Sequence, residues 1–195
     1  MASPVKLNFQ IYQGGTFKQI LRWESGTKAY VPITGITKSA PVAITAPLHD
    51  IPPGWRVKVL NAGGMKEINN PDTYYQATVV TENLIELNSI VSLNYTPYTS
   101  GGVLEYNLPI NLSGYTAKLT LADSVNSANA LYETTSAEGG VVLDTVAHTI
   151  TINIPATVTR NFTFSKAVYE LNLQLGTEII PFATGLIFLT KGAGV

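Results

Sequence analysis

Residues 167–175 alternate apolar and polar side chains with a strict period of two. The apolar set comprises Tyr169, Leu171, Leu173 and Leu175, and the polar set comprises Glu170, Asn172 and Gln174. Successive side chains of a strand point to opposite faces, so this alternation predicts a half-buried β-strand. A Gly-Thr pair at 176–177 and an apolar run at 179–189 follow it. Together they predict a hairpin whose second strand lies deep in a sheet.

The same alternation recurs along the chain and predicts an all-β fold. It is clear at residues 5–12, 16–24, 115–121 and 148–154, and residues 25–27 are expected to end the second strand. Gly-Gly pairs stand beside strands at 14–15, 63–64, 101–102 and 139–140, where tight turns need positive φ. About seven strands at roughly 8–12 residue spacing, with no long helical periodicity, predict an antiparallel sandwich.

Residues 31–106 differ in character from the rest. Prolines are frequent there, and the predicted strands are short, as in the alternation of Trp55, Val57 and Val59. This composition predicts a small β-barrel inserted between the second and third strands of the sandwich. The expected domains are therefore a discontinuous sandwich, 1–30 plus 107–195, and an inserted barrel, 31–106.

The charge content excludes several partners. Charged residues make up 13% of the chain, about half the usual share, and the net charge is −1. Nucleic-acid surfaces need a basic stripe, and no Lys/Arg cluster exists here. No apolar run is long enough to span a membrane. The low charge favours a surface buried in an assembly, although a monomer surface rich in Thr, Asn and Ser fits it too.

Residues suited to catalysis or metal binding are few. The chain has no cysteine, which excludes disulfides, thiolate chemistry and Cys-ligated zinc. His49 stands beside Asp50 in a proline-rich turn, and the favoured interpretation is a turn residue bonded to backbone. His148 opens a strand and is expected to face solvent. The carboxylates expected on outer strand faces are Glu24, Glu86, Glu105 and Glu170. No catalytic, cofactor or metal-binding motif is present, so we expect no enzyme, cofactor or metal.

Tyrosines form the one suggestive cluster. The candidate interaction surface consists of Tyr74, Tyr75, Tyr95 and Tyr98. Exposed tyrosines stack on sugars or anchor protein interfaces. The alternative is that most are half-buried in the barrel with the hydroxyl at its rim.

Three stretches outside the insert resemble one virion domain. They are residues 17–23; residues 112–119, which contain Leu112, Gly114, Tyr115 and Ala117 in an L-x-G-Y-x-A pattern; and the closing pair 167–171 and 183–189. They resemble the N-terminal domain of baseplate upper proteins from lactococcal-type phages. That resemblance implies an immunoglobulin-like sandwich.

The insert resembles a second known module. Segments 43–45, 51–57, 64–69, 75–80, 85–88 and 98–104, together with His49, follow the pattern of a small β-barrel. That barrel is known from the first catalytic-cysteine half-domain of ubiquitin-activating enzymes, and phage structural proteins often carry it. The family usually has Gly after the histidine, whereas this chain has Asp50. No enzymatic role carries over, because the chain lacks cysteine and the rest of that enzyme.

The two resemblances imply a structural component of a tailed-phage virion. The expected role is an assembly or adaptor subunit of the tail, baseplate or fibre-attachment region. The alternatives are a head-decoration or neck protein, or a host-glycan-binding module. We expect other virion proteins as partners, a homo-oligomer or symmetric multi-copy assembly, and no nucleic acid or membrane; a host glycan is the less favoured partner. The expected location is the virion, after synthesis in the host bacterial cytoplasm.

Overall fold

The computed structural model describes residues 3–192, and it confirms the all-β class. Strands hold 52% of the chain and helices 4%. The chain divides into two compact units: residues up to Arg22 together with those from Asn111 onward, and Trp23–Ile110. Each unit has its own sheets and core, so each is described by itself.

The described residues form sixteen strands. In chain order they are β1 (Val5–Lys6), β2 (Phe9–Tyr12), β3 (Phe17–Arg22), β4 (Glu24–Pro32), β5 (Gly35–Thr37), β6 (Val42–Thr45), β7 (Arg56–Leu60), β8 (Tyr75–Thr81), β9 (Leu84–Leu87), β10 (Val103–Pro109), β11 (Thr116–Ala122), β12 (Ala130–Thr135), β13 (Val141–Asp144), β14 (Thr149–Ile154), β15 (Lys166–Leu175) and β16 (Glu178–Thr190). A 3-10 turn covers Lys66–Ile68, and one helical turn, α1, covers Ala156–Thr159.

The discontinuous unit contains two sheets. The larger has six strands in the order β1-β16-β15-β11-β12, with β2 also paired to β16, and the smaller has the order β13-β14-β3. The predicted hairpin is confirmed, because β15 pairs antiparallel with β16 along its whole length. Tyr169, Leu171 and Leu173 are buried as predicted, whereas Leu175 is exposed where the strand reaches the turn.

The N-terminal segment departs from the predicted single strand. The alternating stretch 5–12 is divided into β1 and β2, and both pair parallel to β16 rather than antiparallel. Between them the Leu7 N–H donates to the Thr184 carbonyl at 2.9 Å, and the Asn8 Oδ1 accepts from the Leu186 N–H at 2.9 Å. A Cβ on Gly185 would lie 1.8 Å from the Leu7 carbonyl oxygen, so this close approach requires glycine.

The core of this unit lies between the two sheets. Its fully buried members include Leu119, Leu121 and Leu171 from the larger sheet and Ile150 and Ile152 from the smaller. The apolar alternation of each strand thus faces the other sheet, which is the arrangement of a β-sandwich.

An aromatic group joins the two sheets. The ring of Phe9 on β2 lies 5.7 Å from that of Phe17 on β3 and 5.2 Å from that of Tyr169 on β15. Near the same turn, the buried Thr159 hydroxyl of α1 donates to the Gly15 carbonyl at 2.7 Å. The helical turn α1 follows Pro155, and the bond from Thr159 joins it to the β2–β3 turn.

The second unit is built on one seven-stranded sheet. Its order is β4-β10-β7-β8-β9-β6-β5, and all its pairings are antiparallel. Trp55, Val57 and Val59 are all fully buried, as their alternation predicted. The Trp55 indole N–H donates to the Asn107 carbonyl at 2.8 Å, which satisfies its polar atom.

The two end strands of this sheet are consecutive in the chain. β4 leads into β5 through Ile33 and Thr34, whose N–H groups donate to the carbonyls of Gly102 (3.0 Å) and Thr45 (2.9 Å). The chain thus connects the sheet's two ends, while the described residues contain no ladder between β4 and β5. The closed barrel therefore stays a prediction.

The start of the second unit differs from the sequence-based expectation. Residues 25–27 were expected to end a strand, and this is wrong: β4 runs from Glu24 to Pro32 straight through them. The pairing with β10 explains this, since it extends from Val103↔Pro32 to Pro109↔Glu24 with an irregularity after Asn107. Gly26 does not have a positive φ, so its backbone is compatible with a strand. The compact unit spans Trp23–Ile110, whereas the insert was expected at 31–106.

Candidate interaction surface

Three of the four candidate tyrosines pack onto the core of the second unit. Tyr75, Tyr95 and Tyr98 are half-buried against it. The Tyr98 hydroxyl lies 3.1 Å from the Ile33 carbonyl and 3.0 Å from the Gly101 carbonyl, within hydrogen-bond distance of each. The Tyr75 hydroxyl accepts from the Asn70 side-chain amide at 3.2 Å. These contacts fit the alternative in which the tyrosines are half-buried with hydroxyls at the rim.

Tyr74, also half-buried, has a different environment, because two cations lie against its ring. The Arg56 guanidinium carbon is 4.7 Å from the ring centroid, and the Lys58 ammonium nitrogen is 4.5 Å from it. The Lys58 ammonium also donates to the Pro71 carbonyl. Cation–π attraction holds both side chains against the ring. The structure therefore does not gather the four tyrosines into one platform of free rings, and their role as an interaction surface stays a prediction.

Arg56 also forms a bidentate ion pair. Its Nε and one terminal nitrogen donate to the two Glu24 carboxylate oxygens at 2.6 and 2.7 Å. The Asn107 side-chain amide donates to the same carboxylate at 2.9 Å. The hydrogen bond that Arg56 donates to Glu24 raises the pKa of Arg56. Two parallel charge-assisted bonds fix the plane of the Arg56 guanidinium, which lies against the Tyr74 ring.

Glu105 forms a second ion pair and is buried although it lies on the outer face of its strand, as expected from the sequence. Its side chain is only 7% exposed, and its carboxylate lies 2.7 Å from the Lys28 ammonium. The hydrogen bond from Lys28 lowers the pKa of Glu105. The reason for the burial is the position of β10 between β4 and β7, where Glu105 stands opposite Tyr30 and Lys58. Long side chains on both neighbouring strands cover it.

These residues define a charged face on the β4-β10-β7 part of the sheet. The face consists of Glu24, Lys28, Arg56, Lys58, Tyr74 and Glu105. Three cations and two carboxylates lie there, and the contacts above tie each side chain to a neighbour. Such an arrangement presents fixed, largely neutralised charges, which suits contact with another surface.

His49 has a structural environment that confirms the interpretation as a turn residue. It is 2% exposed, its Nδ1 accepts from the Ile51 N–H at 3.0 Å, and its Nε2 lies 2.9 Å from the Thr81 carbonyl. Because Nδ1 is an acceptor, Nε2 carries the proton and donates. Its neighbours Leu48 and Asp50 both have positive φ, which places the ring between two left-handed residues. Both ring nitrogens thus bond to backbone groups rather than to Asp50.

Within residues 3–192, no group of three or more His, Asp or Glu side chains is arranged to hold a metal ion. In the same part of the chain, no helix has the length and apolar character needed to cross a membrane. His148, expected at a strand start, lies just before β14 with a φ of 51° and is half-buried.

Exposed apolar residues on the smaller sheet of the sandwich were missed from the sequence. Ile20 on β3 and Val142 on β13 are 48% and 47% exposed, and both stand in register with Thr151 on β14. The signal was present, because the alternation of residues 16–24 leaves Ile20 on the polar face between Lys18 and Arg22. An apolar residue on an otherwise polar strand face indicates a contact surface.

A scan against models of known protein families found no match to this chain, and a comparison with curated proteins found none either.

Proposed function

We propose that this chain is a structural component of a tailed-phage virion. Its role is that of an assembly or adaptor subunit in the tail, baseplate or fibre-attachment region. The observation that carries the proposal is the outer face of the β13-β14-β3 sheet. Two large aliphatic side chains, Ile20 and Val142, stand there half-exposed on edge strands.

Edge strands with apolar side chains favour assembly. An edge strand presents N–H and C=O groups along one side, with which a strand of another chain can pair. Exposed aliphatic side chains beside such an edge favour burial against a partner. The low charged fraction of the chain, 13%, supports the same conclusion, since many surface positions are then suited to burial. The resemblance of the sandwich to a baseplate domain is the reason for proposing that this assembly is a tailed-phage virion.

The function in this proposal is mechanical rather than chemical. Each copy buries apolar and edge surfaces against other virion proteins, in symmetric multiples. The charged face of the second unit supplies a rigid, salt-bridged surface for a neighbouring subunit. Electrostatic matching of that kind sets the register of a contact more than its strength.

The experiment that tests the proposal is gold-labelled antibody electron microscopy on particles of the parent phage. We expect label at the tail tip or collar, in several to dozens of copies. Label over the whole head would replace the adaptor role by head decoration, and label confined to the portal would indicate a neck protein. Absence of label from both intact and disrupted particles would overturn the virion role.

A further inference from the structure

We propose that a cleft on the sandwich binds a lysine side chain of a neighbouring virion protein. The inference rests on the proposed structural role and names the chemistry of one contact within it. The cleft lies on the outer face of the larger sheet, where the β11–β12 loop borders β11, β15 and β16. Its volume is about 300 Å³, which suits a small group rather than a large ligand.

Glu170 gives the cleft one negative charge. It stands in register with Thr120 on β11 and Thr184 on β16, so the three side chains form one row. One carboxylate oxygen accepts from the Asn172 side-chain amide at 3.2 Å. Among residues 3–192 no lysine, arginine or histidine forms an ion pair with Glu170, and none lines the cleft. A ligand with a single positive charge would therefore complement this cleft.

The hydroxyl groups around Glu170 present acceptors. The Thr120 hydroxyl donates to a carboxylate at 3.2 Å, and those of Thr184 and Ser127 donate to main-chain carbonyls at 2.9 and 3.0 Å. Because carboxylates and carbonyls can only accept, each of these hydroxyls has already used its proton. What each one offers a ligand is a lone pair, which accepts from an N–H donor. The row thus favours a cation that carries several donors.

This set of acceptors favours an ammonium over a guanidinium. An ammonium carries three donors on one compact atom. A nitrogen placed above Glu170 has Thr120 and Thr184 on either side, since in-register neighbours on adjacent strands have Cβ atoms about 5 Å apart. A guanidinium binds a carboxylate best through both oxygens, and the Asn172 amide already bonds to one oxygen of Glu170.

Aliphatic side chains line the same cleft. Val125 on the loop is 76% exposed, and Val168 on β15 is half-buried. A lysine side chain carries its charge on a four-carbon stem, which packs along apolar surface while the ammonium stays among polar groups. The cleft therefore matches both parts of a lysine side chain.

One lysine of the chain itself lies near this cleft. Lys6 on β1 stands in register with Thr184, two strands away from Glu170, and it is exposed. In the structure it forms no ion pair with Glu170. Any test of a partner's lysine must therefore distinguish it from Lys6.

A titration of the isotope-labelled full-length chain, followed by NMR, tests the site. The ligand is Nα-acetyl-lysine N-methylamide at constant ionic strength. The matched ligands are the same derivative of norleucine, which has the stem without the charge, and that of arginine. We expect saturable amide shifts at residues 120–127, 168–170 and 184, with a dissociation constant on the order of 1–10 mM for lysine. Arginine should bind at least threefold more weakly, and norleucine should give no saturable shift.

Two variants locate the binding. Glu170→Gln removes the charge and keeps the shape, so we expect lysine to bind at least tenfold more weakly. Glu178→Gln is the control, because Glu178 is an exposed carboxylate at the start of β16, outside the cleft, and its loss changes the net charge equally. Unchanged binding in Glu170→Gln, equal binding of norleucine, or no saturable shift up to about 50 mM lysine would overturn the site. Tighter binding of arginine would overturn the assignment to lysine.

Carbodiimide cross-linking of the parent phage particles tests the partner. The reagent activates a carboxylate, and a lysine amine in contact with it forms an amide, so the two side chains are joined with the net loss of one water. We expect mass spectrometry to find Glu170 linked to a lysine of another virion protein. A link from Glu170 to Lys6 alone, or no link from Glu170, would overturn the assignment to a partner's lysine.

The two proposals fail separately. Label on phage particles without lysine binding by the purified chain overturns this site and leaves the virion role standing. Saturable lysine binding without label on any particle overturns the virion role and leaves the lysine site standing.

Discussion

Glu105 shows how one buried carboxylate depends on one cation. Its side chain is 7% exposed and bonds to Lys28 at 2.7 Å, while the Lys28 side chain remains 42% exposed. Glu105→Gln removes the charge but keeps the shape. We expect it to lower the free energy of unfolding by about 1–2 kcal/mol, because a charge-assisted hydrogen bond is lost from a covered site. Urea denaturation followed by tryptophan fluorescence measures the difference.

The pH dependence of this difference has a definite sign. The bond from Lys28 lowers the pKa of Glu105 below its ordinary value of 4.5. A lowered pKa contributes stability that is present above the unfolded pKa and is lost as the pH falls through the folded one. The wild-type advantage over Glu105→Gln should therefore be constant near neutrality and shrink below about pH 4. Glu133→Gln is the control: its pair with Lys118 is about half exposed, so a change as large as that of Glu105→Gln would contradict this explanation.

Two buried tyrosines differ in one hydrogen bond. The Tyr169 hydroxyl has no partner among the described residues, and burial raises its pKa to about 12. The Tyr106 hydroxyl donates to the His49 carbonyl at 3.0 Å. We expect Tyr169→Phe to leave the thermal midpoint unchanged or raise it, because an unsatisfied polar atom is removed. Tyr106→Phe should cost about 1–2 kcal/mol, since it leaves a buried carbonyl unpaired. Equal losses in both variants would mean that the Tyr169 hydroxyl is bonded in solution.

At the scale of single residues, the alternation along a strand predicts which face a side chain lies on. It does not predict whether side chains of neighbouring strands bury it. The strand pattern placed Glu105 on an outward position, and its register beside Tyr30 and Lys58 agrees with that. The burial arises from neighbours on β4 and β7, which are distant in sequence and come together only through pairing. The bond between His49 and the Thr81 carbonyl likewise joins residues far apart in sequence, so no local pattern specifies it.

At the scale of elements, Gly185 controls the docking of the N-terminal segment. Gly185→Ala would place a Cβ 1.8 Å from the Leu7 carbonyl, so either β16 or the β1–β2 segment must move. We expect a loss of about 1–3 kcal/mol and faster amide exchange across residues 5–12, measured by hydrogen–deuterium exchange. Gly139→Ala separates this steric effect from backbone strain, because Gly139 has a φ of 78° and open space around its Cβ position. Faster exchange across 5–12 in Gly139→Ala as well would contradict the steric explanation.

The elements that could be predicted are those whose pairing is local. The β15–β16 hairpin follows from alternation and a nearby turn, so short-range sequence contains most of what it needs. The parallel docking of β1 and β2 on β16 joins the two ends of the chain, and no local pattern records it. β4 was missed for a similar reason, because its partner β10 lies far along the sequence and stabilises a strand across Gly26.

At the scale of the whole molecule, the all-β class follows from composition and alternation, while the bounds of the second unit depend on pairing. That unit has its own buried core and begins and ends at residues that meet, since the Ile110 N–H donates to the Trp23 carbonyl at 2.9 Å. Its chain ends therefore lie together, as in inserted modules that fold alone. An insert that began at residue 31 would lack most of β4.

Excision tests these bounds. We expect residues 23–110 expressed alone to fold, with one cooperative thermal transition and the blue-shifted fluorescence of the buried Trp55. Residues 31–106, the insert expected from sequence, lack most of β4 and the end of β10, and they leave Glu105 and Tyr106 without their partners Tyr30 and Ala29. They also lack both Glu24 and Lys28, the partners of Arg56 and Glu105. We therefore expect this shorter fragment to melt at a much lower temperature or to stay unfolded. Equal stability of the two fragments would mean that β4 adds nothing to the sheet, and the unit would then end where the sequence pattern placed it.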